Sequence, residues 1–263
     1  MRLHLDTSVR VFACDIDGCL AAVDHAAYEL PQLQRLVELN RASAHDDNVP
    51  ALTLLTGRPH GYVDALMQVL DVRLPVVYEN GAGLATREPY HAWLTPSAAA
   101  GASALTAARE ALAARDDVFV QPGKEASLSV FDRGAGRDVA ALVRLLADVL
   151  PERASTLQID PSRDCVNLLL PGVDKAAGLS ELCRALGLAE SALAGIGDSE
   201  GDAGWLERCG VSFAPAASAA AVRSVVTHVS RHDDVAAAIE AYEALVAANR
   251  ALGETVARTR TNA

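Results

Sequence analysis

Val9-Arg10-Val11-Phe12-Ala13-Cys14-Asp15-Ile16-Asp17-Gly18 is the stretch on which the reading of this chain turns. The apolar run from Val9 to Ala13 predicts a buried β-strand. Two carboxylates, one residue apart, follow at its exit, just before a glycine. Charge in such a place is costly unless it has work to do. Carboxylates there can attack phosphorus, hold a hard cation or exchange protons. Taken alone, the pair is equally a strand-end turn, where Asp is common.

Working outward, strand and helix alternate. A helix is predicted from about Pro31 to Arg41, a strand over Ala51 to Leu55, and Thr56-Gly57-Arg58-Pro59 before a helix to about Leu70. Pro75 to Tyr78 reads as a third strand. Further on come a helix at 175–186, a strand at 192–196, a helix at 202–208, a strand at 211–214 and helices at 217–226 and about 233–249. The last residues, Arg250 to Ala263, read as polar and frayed. Such alternation implies an α/β fold, a mostly parallel sheet covered by helices on both faces.

Between about Gly83 and Gly172 the order becomes irregular. Strands are expected at 83–86, 90–94, 117–120, 127–131, 156–159 and 165–170, with helices at 97–114 and 137–150. This is an inserted α+β unit with its own antiparallel sheet. The expected division is a core of residues 1–82 and 173–263 and an insert of 83–172, joined through glycine-flanked connections that suit a hinge.

Composition removes several functions. The 263 residues carry 23 Lys+Arg against 34 Asp+Glu, a net charge of −11, and no dense basic cluster suits a nucleic-acid surface. No segment approaches the roughly 18 uninterrupted apolar residues of a membrane span, and the first residues lack the layout of a secretory signal. Five cysteines without metal-type spacing read as reduced thiols, so a cytoplasmic location is expected.

Four separated segments carry the chemistry: Asp15 and Asp17 after the first strand, Thr56-Gly57-Arg58 after the second, Lys175 opening a helix, and Gly197-Asp198-Ser199-Glu200-Gly201-Asp202 after the strand at 192–196. In a parallel sheet the carboxyl ends of the strands share one edge, so these segments converge there. Asp15, Asp198 and Asp202 bring three negative charges to that edge, and a phosphomonoester adds about two more. A dication, with Lys175 and Arg58, brings the sum near balance. Carboxylate ligation without His or Cys points to magnesium rather than zinc. A further charge on Asp17 is then disfavoured, so Asp17 is expected to hold a proton and serve as acid and base. Thr56 supplies a hydroxyl donor, Gly57 a close backbone approach and Pro59 a helix start that favours anions.

Together, Asp15-Ile16-Asp17-Gly18, Thr56-Gly57-Arg58, Lys175 and Gly197 to Asp202 resemble the four motifs of the haloacid dehalogenase superfamily, in order and spacing, over nearly the whole chain. The insert, and Glu79-Asn80-Gly81-Ala82 after the third strand, resemble the Cof-type and sucrose-phosphatase-like branch. The resemblance implies a Rossmann-like core with a cap domain and magnesium-dependent hydrolysis of a phosphomonoester through an aspartyl phosphate. It implies Asp15 as nucleophile, Asp17 as general acid/base, and Thr56, Gly57, Arg58, Lys175 and Asn80 as phosphate or substrate contacts. Asp15, Asp17 through its backbone carbonyl, Asp198 and, in support, Asp202 would hold Mg2+. Two departures stand out: Cys19 where the family usually has Thr, and Gly201 where it often has Asn.

The expected partner is a small phosphorylated metabolite, a sugar phosphate, phosphoglycolate or a phosphoglycerate-type ester, with no nucleic acid and no membrane. Two alternatives stay open: a phosphosugar mutase of the same superfamily and a non-catalytic phosphate-binding or phospho-accepting module. A literal dehalogenase leaves Asp17 and the Asp198/Asp202 pair unexplained, and Asp198 would repel a dinucleotide pyrophosphate. In the insert, Lys124, Arg133 and Arg163 read either as ordinary surface charge or as contacts to an anionic part of the substrate.

Overall fold

The computed structural model of the chain describes residues 3–22, 27–134 and 138–261. Its first part runs β1 (Val11–Cys14), α1 (Leu30–Ala42), β2 (Ala51–Leu54), α2 (His60–Val69), β3 (Val76–Tyr78), β4 (Gly83–Arg87) and β5 (Tyr90–Leu94). There follow α3 (Pro96–Ala100), α4 (Ala102–Ala113), β6 (Val118–Val120), β7 (Leu128–Asp132), α5 (Val139–Val149), β8 (Gln158–Pro161) and β9 (Val166–Leu169). The chain then returns through α6 (Lys175–Leu186), β10 (Leu193–Ile196), α7 (Ala203–Leu206), β11 (Val211–Ala214), α8 (Ala220–Val225), β12 (His228–Val229) and α9 (Asp234–Thr261).

Five strands form a parallel sheet in the order β12-β11-β10-β1-β2. A parallel bridge, Leu55 to Val77, sets β3 beside β2. The period-2 alternation of a strand buried on both faces builds the layers. Phe12 and Cys14 pack with Leu36, Met67, Tyr242 and Leu245 on one side, while Val11 and Ala13 pack with Leu179, Leu182, Trp205 and Leu206 on the other. From β1 the chain moves to β2 on one side and later returns to β10 on the other, so the strand order reverses at β1/β10. Ligands of such sheets bind in the crevice at that reversal.

The antiparallel sheets follow. The β4–β5 hairpin pairs with β3, and its Leu84 and Ala85 belong to the clusters around the parallel sheet. A second sheet, β6-β7-β9-β8, has a core of its own: Leu128, Val130, Val166 and Leu168 pack on Leu105 and Ala108 of α4 and Leu142 and Leu146 of α5.

Three local expectations change. The helix expected over 97–114 is two helices meeting at Gly101, where a Cβ would stand 2.0 Å from the Leu170 side chain. β12, only two residues long, has too little periodicity to be read from sequence. The tail expected to fray from Arg250 instead continues α9 to Thr261, with Arg250 paired to Asp46 at 2.9 Å; Asn262 and Ala263 lie outside the described residues. Alanine-rich sequence is a strong helix former, and polarity alone does not end a helix.

Asn249 anchors α9. Its buried amide accepts from Val9 N–H at 3.0 Å and donates to the carbonyls of Val9 at 2.8 Å and Asn48 at 3.0 Å, at the entrance to β1. Asn249→Ala leaves those backbone groups unpaired and is expected to cost about 3 kcal/mol in urea denaturation; a loss below about 1 kcal/mol would show that water replaces the amide.

Candidate active site

The carboxyl ends of β1, β2 and β10 meet as their parallel order requires. Asp15 continues β1, its N–H bonded to Ile196 O at 3.0 Å, so the start of the β10 loop is tied to it. Lys175, the first residue of α6, reaches both segments. Its ammonium donates to Asp15 Oδ2 at 2.7 Å and to Asp202 Oδ1 at 2.6 Å, and all three residues are buried. Asp174 caps that helix, accepting from Ala177 N–H at 2.7 Å, which sets the lysine's starting point.

Asp202 spends both oxygens on hydrogen bonds. Oδ1 accepts from Lys175 and from the Trp205 indole at 2.8 Å, and Oδ2 accepts from the Ser199 N–H at 2.9 Å and hydroxyl at 2.6 Å. Asp202 therefore positions Lys175 and the β10 loop, and its lone pairs are committed. Trp205 was not singled out by its sequence neighbourhood; only the fold brings its indole to Asp202. Ser199 caps the short turn that leads to Asp202.

Asp198 is the opposite case. Its carboxylate is buried, and among the described residues no side chain or backbone N–H donates to it. The exposed Arg163, from the β8–β9 turn of the insert, approaches to only 4.0 Å. Asp198 lies directly over Gly18, where a Cβ would fall 2.3 Å from its Oδ2 and where φ is +76°. Only glycine meets both demands.

Charge explains the titration of the cluster. Burial first, and then Asp202, push Asp198 up to about 7. Burial also raises Asp15, to about 8, against the pull of Lys175. Burial disfavours the Lys175 ammonium, but Asp15 and Asp202 outweigh it and hold the lysine charged well above its usual range. For Asp202, burial is outweighed by Lys175, Ser199 and Trp205, and its pKa falls.

Asp15, Asp198 and Asp202 offer carboxylate oxygens within 4.8 Å of one another. Three carboxylates and one ammonium leave two negative charges, the charge of one hard dication. All-oxygen donors favour magnesium over zinc, and the Asp198 carboxylate, with no hydrogen-bond donor among the described residues, supplies a ready ligand. The donor set therefore fits the ion expected from the sequence.

The expected proton on Asp17 meets a different arrangement. The Arg58 guanidinium grips the Asp17 carboxylate in a bidentate pair, with Nε at 2.7 Å from Oδ2 and NH2 on Oδ1. Arg58 also lies over the Tyr62 ring at 4.8 Å, and the Tyr62 hydroxyl meets that of Tyr28 at 2.6 Å. In the charge count Arg58 adds to the summed positive charge of the site, as a substrate contact or as the partner of an acidic neighbour. Here its partner is Asp17, held through both carboxylate oxygens.

Thr56 is buried after β2 and accepts from Arg58 N–H at 3.2 Å, which leaves its hydroxyl hydrogen free to donate. Asn80 sits in the left-handed region at φ 56° and donates its N–H to Thr56 O at 2.9 Å. A Cβ on Gly57 would stand 2.7 Å from Asn80 Oδ1, so the glycine makes room for Asn80 at the same edge. Gly201 faces open space, its nearest neighbour at a Cβ being Ser199 Oγ at 3.9 Å, so the departure there leaves a gap. Cys19 is buried, and burial pushes its thiol up, so it packs as a small inert group. Arg133 is exposed and lies over the Phe119 ring.

Lys175→Met leaves Asp15 and Asp202 buried without their cation. In the metal-free protein the expected cost is about 3–5 kcal/mol by urea denaturation; an unchanged midpoint would remove the lysine's role as keystone.

Comparison with known proteins gives the family and the fold. A family model described as haloacid dehalogenase-like hydrolase matches residues 136–241. A phosphoglycolate phosphatase of Natronomonas pharaonis is 32% identical over 228 residues, 84% of this chain and 91% of that protein. A phosphoglycolate phosphatase of Methanococcoides burtonii is 26% identical over 236 residues, 89% of this chain and 96% of that protein. Among solved structures, a haloacid dehalogenase-like hydrolase from Bacteroides thetaiotaomicron superposes with a TM-score of 0.69 at 15% identity, over 90% of this chain and 99% of that one.

Proposed function

This chain belongs to the haloacid dehalogenase-like hydrolases, and on that premise we propose that it hydrolyses small phosphomonoesters with Asp15 as nucleophile and magnesium as cofactor. One observation carries the reading: a buried cluster of Asp15, Asp198 and Asp202 around a single ammonium, two positive charges short of neutral, at the sheet edge where ligands of this fold bind.

Asp15 and Asp198 would hold the ion with the backbone carbonyl of Asp17, while Asp202 orients Lys175. Bound there, magnesium supplies charge stabilisation for the phosphoryl oxygens. An Asp15 oxygen attacks phosphorus, forming the P–O bond of an aspartyl phosphate as the bond to the leaving alcohol breaks. Lys175 and the Thr56 hydroxyl stabilise the phosphoryl charge. Asp17 gives a proton to the departing alkoxide. It then takes one from the water that attacks phosphorus, which returns Asp15 as carboxylate and releases phosphate. The Arg58 pair keeps Asp17 in the form needed for the second step. The first step requires that pair to loosen as substrate enters.

The insert is the cap. Its separately packed part begins after the β4–β5 hairpin, and its loops at 123–127 and 162–164 lie against the core at the site mouth. No helix among the described residues is long and apolar enough to cross a membrane. Both curated relatives are named phosphoglycolate phosphatase, which places 2-phosphoglycolate first in a substrate panel.

Asp15→Asn should reduce phosphate release with magnesium by at least about 10³-fold. Its fold should survive by circular dichroism. Activity near wild type in that variant would overturn the nucleophile.

Metal binding should also be visible without turnover. Asp15 and Asp198 have pKa values raised above the unfolded carboxylate, so their contribution to stability is fullest at low pH and is lost as pH rises through about 7 to 8. Magnesium reverses that loss and competes with protons. It is expected to raise Tm more at pH 8 than at pH 5.5 by scanning calorimetry; an equal rise at both pH values would count against ligation by this pair.

A further inference from the structure

Lys124 lies on the cap loop and is 5% exposed. Its ammonium donates to Ser129 Oγ at 2.6 Å. Among the described residues no carboxylate lies within 4.0 Å of it. Glu79 is the acid with most influence on it, but the Glu79 oxygens are taken by Glu125 N–H at 2.8 Å, Ala126 N–H at 2.9 Å and the Ser127 hydroxyl at 2.9 Å. A buried ammonium without a counter-ion is costly, and burial accordingly lowers its pKa to about 8.

The loop that carries it is held at the mouth of the site. Glu79 fastens residues 125–127, and the Glu79 N–H is itself bonded to Arg58 O at 3.0 Å. A Cβ at Gly123 would lie 3.9 Å from Pro59 Cβ, and both Arg58 and Asp17 act electrostatically on Lys124.

A polar row continues across the cap sheet. Ser129, Asn167 and Asp160 are register partners on β7, β9 and β8. The alternate residues, Leu128, Val130, Val166 and Leu168, fill the cap's own core. Ser129 donates to Asn167 Oδ1 at 2.6 Å, and Asn167 Nδ2 donates to Asp160 Oδ2 at 3.3 Å. Asp160 feels Lys175 and Asp174 of the core, so this face of the sheet looks onto the site. Within the row, Ser129 and the Asn167 carbonyl are already paired. Among the described residues, two N–H bonds of Lys124 and one of Asn167 remain unspent. These donors lie beside a buried positive charge and suit a group that only accepts; Asp160, the acid of the row, meets Asn167 and stays beyond 4.0 Å of the Lys124 ammonium.

We propose that Lys124, oriented by Ser129 and flanked by Asn167, is a carboxylate subsite in the cap that selects phosphomonoesters whose leaving alcohol carries a carboxylate, the 2-phosphoglycolate class. The proposal rests on the phosphatase reading above and assigns its substrate class to named cap residues. The carboxylate supplies the counter-ion that Lys124 lacks, so the correct substrate also completes the contact between cap and core.

The test compares wild type, Lys124→Met and Lys124→Arg on 2-phosphoglycolate and on p-nitrophenyl phosphate, which has no carboxylate. In Lys124→Met the preference for 2-phosphoglycolate, as a ratio of kcat/KM values, should fall about 100-fold, chiefly through KM, and Lys124→Arg should recover part of it. Lys124→Met should melt at or above the wild-type temperature, because it removes a buried unpaired charge. An unchanged ratio overturns the subsite. So does a lower Tm with equal losses on both substrates, the mark of a structural lysine. If wild type with magnesium releases phosphate from neither compound, the phosphatase reading fails. Calorimetric titration of 2-phosphoglycolate into wild type and Lys124→Met then decides the subsite: weaker binding by the variant supports it, and equal or no binding overturns it.

Discussion

The ammonium of Lys175 lies between Asp15 and Asp202, and the rest of the site depends on that placement. The contact joins residues 160 apart in sequence and fixes the exit of β1 against the start of α6 and the loop after β10. Each partner is buried, so none tolerates the loss of the others. The arrangement stays two charges negative, held in place by helix capping at Asp174, the Ser199 loop cap and the Trp205 indole. Such a site is preorganised by the chain's own hydrogen bonds, which is what the proposed chemistry requires of it.

Another buried acid, Glu79, ties the loop at 125–127 to this centre. Glu79 directs its carboxylate at three groups of the cap loop and its N–H at the Arg58 carbonyl. Glu79 and Asn80 both adopt positive φ, a conformation disfavoured for residues with side chains and kept where surroundings demand it. The loop that carries Lys124 is thereby coupled to the loop that carries Thr56 and Arg58. The same region pairs Asp17 with Arg58, so Asp17 and the loop at 125–127 are held by one local arrangement.

Much of this was legible in sequence because it obeys short-range rules. Val11 to Cys14 alternates between two apolar layers, and Lys175 to Leu186 begins and ends within the expected bounds, with Asp174 as cap and Gly187 in the left-handed region at its end. Asp15, Thr56, Lys175 and Asp198 could be grouped because parallel strands deliver their carboxyl ends to one edge. Less legible were features set by distant neighbours. The break at Gly101 answers to Leu170, the extension of α9 has Arg250 paired with Asp46, and the pairing of Arg58 with Asp17 spans two loops.

By itself the sequence determined the chemistry: which carboxylates stand at strand ends, in what order, and with what net charge. That is possible because strand period and chain direction place them without reference to packing. Only the tertiary structure decided how the acids divide their work. Hydrogen bonds from other segments saturate Asp202, leave Asp198 open and claim Asp17 for Arg58. Lys124 shows the same division most sharply. In sequence it stands with Arg133 and Arg163 of the insert as either surface charge or a substrate contact, and only burial without a counter-ion sets it apart from them. Burial depends on the whole fold, and no local pattern encodes it.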